Sequence, residues 1–88
     1  MEVLTKMSEA LIKGKAPEVK ALMQQAIDAN IAPATILNEG LVTGMSIVGD
    51  RFKKNECYVP EVLIAARAMK AGMELLRPRL ISAGVKPL

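Results

Sequence analysis

Residues 37–69 read LNEGLVTGMSIVGDRFKKNECYVPEVLIAARAM, and two helices with a short polar connection account for them. Upstream of the connection, Ile36, Leu37, Leu41, Gly44, Val48 and Phe52 recur close to a 3.6-residue period, which marks one face of a helix. Downstream, Pro60 suits a first helical turn, where a missing N–H costs nothing, and Glu61 suits the positive end of the helix dipole. The second helix extends to about Ile81 with an apolar set of Leu63, Ala66, Met69, Met73, Leu76 and Leu80. Pro78 lies late in it and is expected to kink or fray the last turns. The chain's two aromatic side chains, Phe52 and Tyr58, both flank the polar connection.

The same logic works backwards from Pro33, which opens the first of these helices. Residues 2–13 place Val3, Leu4, Met7 and Leu11 on one face, and Gly14 stops that helix. Pro17 starts a helix over 17–29 with Val19, Leu22, Met23, Ala26 and Ile27 inward. Ala16 and Ala32 stand where a polar N-cap is common, at a cost of about 1 kcal/mol each. No segment alternates with a period of two. With short connections the expectation is an all-α fold, a four-helix bundle of antiparallel neighbours. Gly40, Gly44 and Gly49 are unusual, since each glycine inside a helix costs about 1 kcal/mol against alanine. They imply either close approach to the small residues Ala65, Ala66, Ala68 and Gly72, or room for a bulky ligand or a moving neighbour. The methionines read as core filling.

Eighty-eight residues suffice for one domain. An apolar fraction of 51% is high for so short a chain, so part of that surface is expected to face a partner or a second domain. The single cysteine, Cys57, has no internal disulfide partner, and with no histidine beside it a nucleophilic or ligand role is disfavoured. The absence of histidine excludes Ser-His-Asp and Cys-His catalysis and any metal site built on imidazole. The N-terminal MEVLTKMSEALIKGK is amphipathic and unlike a signal peptide, and the run VLIAA is far too short for a membrane span. The expectation is a soluble, cytoplasmic protein. The first fifty residues carry four Lys against six Asp and Glu; the remainder carry eight Lys and Arg against three Glu. Without aromatics interleaved among those charges, the basic half reads as a solvated helix face rather than a nucleic-acid site.

Taken together, G-M-x-x-V-G-x-x-F (44–52) followed by V-P-x-V-L-x-A-A (59–66) closely resembles the helical cap module of cobalamin-dependent methyltransferase proteins. That module occurs in cobalamin-dependent methionine synthase and in the small corrinoid proteins of methanol and methylamine systems. The resemblance spans essentially the whole chain. It implies a methionine-synthase-type cap, a four-helix bundle over the upper face of the corrin ring. By position, Phe52 and Val59 would contact the methyl-bearing face of cobalt; Val59 departs from the leucine frequent there. Tyr58 would either line the same face or be a half-buried residue at the helix start, and Gly44 and Val48 join the cofactor-contact set. Arg51, Lys53 and Lys54 read as a solvated rim, with contacts to corrin propionamides or a methyltransferase as the alternative.

The resemblance assigns 1–82 to the cap and makes 83–88, within ISAGVKPL, the start of a linker to a cobalamin-binding Rossmann-like domain missing from this sequence. The family's Asp-x-His-x-x-Gly motif, whose histidine ligates cobalt from below, is absent, so cobalamin would meet this chain by its upper face only. The implied role is non-catalytic: shielding methylcobalamin in a methyl carrier that works between a substrate-specific methyltransferase and a second acceptor enzyme. No catalytic residue and no metal ligand is assigned, and neither nucleic acid nor membrane is expected as a partner. Bare of its second domain, the apolar face would favour self-association, as a dimer. The alternatives are the cap of a cobalamin-dependent sensor or regulator, and a stand-alone helical interaction module.

Overall fold

Four helical rods account for the described residues, 2–56 and 58–84 of a computed structural model. Helix α1 is Glu2–Ile12 and α2 is Ala16–Asp28. Helix α3 enters at Pro33–Thr35, winds wider through π-helical turns over Ile36–Val42, and continues as Thr43–Lys53. Helix α4 is Val59–Ser82. The helices pack in a ring: α1 lies against α2 and α3, and α4 closes the bundle against α2 and α3.

Three of the helices stop in the same way. Gly14, Asn30 and Asn55 adopt positive φ of 72°, 60° and 60°. After each, the chain reverses through a paired hydrogen-bond motif that satisfies the last carbonyls of the helix. Thus Gly14 N–H donates to the Leu11 carbonyl and Lys15 N–H to that of Ala10, both at 2.9 Å. Asn55 N–H donates to the Phe52 carbonyl at 3.1 Å and Glu56 N–H to that of Arg51 at 2.8 Å. Asparagine tolerates this left-handed backbone better than other side-chain-bearing residues. At their starts the helices lack such help: Lys15, Ala32 and Tyr58 stand at the caps of α2, α3 and α4 without side-chain capping hydrogen bonds. Ala16 is thus the first residue of α2 rather than its cap, and Val59 precedes Pro60 as the first residue of α4.

The core joins Leu4, Met7 and Leu11 of α1, Val19, Met23 and Ala26 of α2, Ile36, Leu37 and Leu41 of α3, and Ala68, Leu76 and Leu80 of α4. The expected faces of α1 and α2 are therefore correct, and the expected face of α3 holds as far as Val48. The face of α4 is different. Its inward stripe is Ala65, Ala68, Gly72, Leu76 and Leu80, whereas Leu63 and Ala66 are exposed and Met69 and Met73 only half-buried. Close packing of α2 is the reason: a Cβ on Gly72 would lie 2.9 Å from Val19 Cγ1. Nor does Pro78 fray the helix, which runs on to Ser82 with Leu80 fully buried.

The glycines of α3 divide. Gly40 and Gly44 let α3 approach α1, not α4: a Cβ on Gly44 would stand 2.5 Å from Leu11 Cδ2 and 3.3 Å from the Ser8 carbonyl. Gly49 faces open space. At the same seam the π-helical turns displace backbone carbonyls from the regular ladder. Buried Ser8 donates its hydroxyl to the Gly40 carbonyl at 2.6 Å and lies 3.2 Å from that of Glu39, while Thr43 Oγ1 donates to the Asn38 carbonyl at 2.9 Å. Replacing Ser8 by Ala removes the donor to a buried acceptor, for an expected loss of about 1–3 kcal/mol in urea unfolding. A change within about 0.5 kcal/mol would show that the hydroxyl does not hold the wide turns.

Candidate functional site

At one end of the bundle a small second cluster, Val48 and Ala65 with Ile12, Met45 and Val62, ties the end of α3 to the start of α4. This cluster sets the positions of the side chains beyond it. Phe52 lies one turn past Val48, where the stripe of α3 runs out of the core, and it is 40% exposed. The Asn55 turn reverses the chain there, with the Phe52 carbonyl as one of its acceptors. Tyr58 then stands in extended backbone at the cap of α4, its carbonyl accepting from Glu61 N–H at 2.9 Å and from Val62 N–H at 3.2 Å. Tyr58, Val59 and Leu63 are 71%, 57% and 55% exposed. Val59 and Leu63 are four residues apart on a helix and so share a face.

The structure thus brings Phe52, Tyr58 and Val59 to one end of the molecule as exposed apolar surface. Gly44 and Val48 lie inside it, Gly44 against Leu11 and Val48 in the second cluster. Leu63, assigned to the core face of its helix from the sequence, stands instead on this end surface, and its four-residue spacing from Val59 is the signal that could have placed it there. Gly49, open where a Cβ would stand, precedes Phe52 by three residues and leaves room beside the ring. The rim is charged: Lys54 pairs with Asp50 at 3.1 Å, and Arg51, Lys53, Glu56 and Glu61 are exposed. Cys57 and the linker residues 85–88 lie outside the described residues. Among the described residues no cluster of three or more Cys, Asp or Glu could hold a metal ion, and no helix is long and apolar enough to cross a membrane.

Among the described residues this end is an exposed apolar surface with a charged rim. Comparison with known proteins shows the family to which such a bundle belongs. The family model of the B12 binding domain matches residues 3–77, and the chain belongs to that family. It is 37% identical over 79 residues to monomethylamine corrinoid protein 2 of Methanosarcina acetivorans, covering 90% of this chain and 36% of that protein. A corrinoid protein of Desulfitobacterium hafniense is 33% identical over 85 residues, covering 97% of this chain and 39% of its own length. The solved structure of the Methanosarcina barkeri monomethylamine corrinoid protein superposes with a TM-score of 0.86 at 32% identity, over 90% of this chain and 37% of that one. The chain therefore spans little more than a third of these relatives. Its fold is the all-α helical cap of that family.

Proposed function

We propose that this bundle is the cap of a corrinoid methyl carrier, laying Phe52, Val59, Leu63 and the Tyr58 ring over the upper face of methylcobalamin. The observation that carries the proposal is the exposed apolar end formed where α3 stops and α4 starts. When bound, the cofactor supplies the cobalt–methyl bond that is made and broken in methyl transfer. The chain's own residues perform no bond-breaking. Phe52 brings a rigid ring that covers much area for little lost rotamer freedom, and Val59 and Leu63 extend the apolar cover, excluding water and oxygen. Every transfer then requires the cap to swing aside. A cobalamin-binding Rossmann-like domain of the parent protein, to which 83–88 would lead, would supply the rest of the cofactor's binding site. A substrate-specific methyltransferase is the partner that exchanges with the cap, with Arg51, Lys53 and Lys54 on the rim it would meet.

The test is a chimera in which residues 2–82 replace the matching segment of the Methanosarcina barkeri corrinoid protein, loaded with methylcobalamin. Phe52→Ala is expected to speed aerobic photolysis of the bound cofactor. An unchanged rate would remove the shielding role from Phe52.

A further inference from the structure

Because α4 turns Ala65, Ala68 and Gly72 inward, Met69 and Met73 reach the core only in part. With the exposed Pro78 and Ile81, the latter 65% exposed, they form an outer stripe. Along this stripe runs a surface groove of about 630 Å³ bordered by Lys70, Glu74 and Arg77. It continues into a second hollow of about 250 Å³ between α4 and Leu37 and Val42 of α3. No ion pair among the described residues engages Lys70, Glu74 or Arg77. Pro78 has no N–H, so the Glu74 carbonyl lacks its usual donor four residues on. Glu74 therefore offers a carboxylate and a backbone acceptor on the same turn, which suits the fork of a guanidinium.

We propose that this face is a self-association surface, on which two copies of the chain pack α4 against α4 antiparallel about a twofold axis near residues 75 and 76. Charge complementarity selects the occupant. The border carries both signs, so an acidic partner would meet Glu74 and a basic one Lys70 and Arg77. A second copy in this register sets Glu74 opposite the partner's Arg77, and Arg77 opposite the partner's Glu74. It also lays Met73 against the partner's Pro78. An isologous contact repeats each pairing twice, which is what a self-complementary face requires. One helix face falls below the roughly 1,200 Å² of a standard interface, so association is weak and concentration-dependent. The surface is separate from the proposed corrin cover, since Val59 and Arg77 lie about 27 Å apart along α4. It relocates the dimer expected from the sequence away from the Phe52 end.

Sedimentation equilibrium of the 88-residue chain up to about 1 mM tests this. Reversible dimerisation is expected, weakened about tenfold or more by Arg77→Glu or Glu74→Arg alone. The double variant E74R/R77E, which restores opposite charges across the axis, is expected to recover it. Both positions are exposed on the helix, and circular dichroism confirms that each variant is folded. A monomer over the whole range overturns the proposal, as does a double variant no tighter than the singles. So does a dimer abolished by Phe52→Ala but indifferent to Arg77→Glu, which would place the contact at the other end.

Discussion

Leu11→Ala is expected to cost about 2–5 kcal/mol in urea or thermal unfolding, the largest single effect on stability. Leu11 is fully buried and its Cδ2 fills the space that a side chain at position 44 would need. Truncation removes the transfer free energy of the lost methyl groups and leaves a cavity at the seam of α1 and α3. That seam resists collapse because Gly44 has no side chain to move in. A domain of this length holds only about 4–13 kcal/mol in total, so the variant is expected to be partly unfolded near physiological temperature. Ile81→Ala is the control: 65% exposed, it should change stability by no more than about 0.5 kcal/mol. Equal losses at both positions would mean that the core is not where the bundle places it.

The largest functional effect is expected from the double variant F52A/L63A in the same chimera. Phe52 and Leu63 have 40% and 55% of their surface still open to be covered. Closing the cap over the corrin should contribute about 1 kcal/mol from each. Losing both costs about 2 kcal/mol, which raises the open population roughly thirtyfold. Photolysis should rise beyond the single Phe52→Ala value, while unfolding of the bundle stays nearly unchanged, since both side chains lie outside the core. If the double variant photolyses no faster than the single one, Leu63 does not belong to the cover.

Why was so much of α3 legible in the sequence and so little of α4? In α3 the large apolar residues and the core face coincide from Ile36 to Val48. In α4 two stripes share the helical period. One begins with Leu63, Ala66, Met69 and Met73, the other with Ala65, Ala68 and Gly72, and both run into Leu76 and Leu80. Hydrophobicity favours the first, but the distance between helices selects the second, because Val19, Met23 and Leu41 already occupy the space around Gly72. Only the neighbour's bulk decides the matter, and that is not a local property. The ends of the helices were half legible: Gly14 announced its turn, while Asn30 and Asn55 carried the same signal in a residue common in any loop. The π-helical turns of α3 were hidden, since Ser8 is an ordinary small polar residue until its hydroxyl is seen on the Gly40 carbonyl. For the proposed site, Phe52 and Val59 were singled out through the family resemblance. The physical reason they stand outward, a turn at Asn55 above the Val48–Ala65 cluster, emerged only from the fold.

The chain's composition supplies the most direct test of the cover itself. Phe52 and Tyr58 are its only aromatic residues, so its aromatic proton spectrum reports this end alone. Titrating the 88-residue chain with methylcobalamin should shift the Phe52 and Tyr58 ring resonances and the Val59 methyls saturably, and leave those of Ile81, at the far end of α4, in place. Unmoved rings at millimolar methylcobalamin, or shifts concentrated at Ile81, would contradict a cap that meets the corrin through Phe52, Tyr58 and Val59.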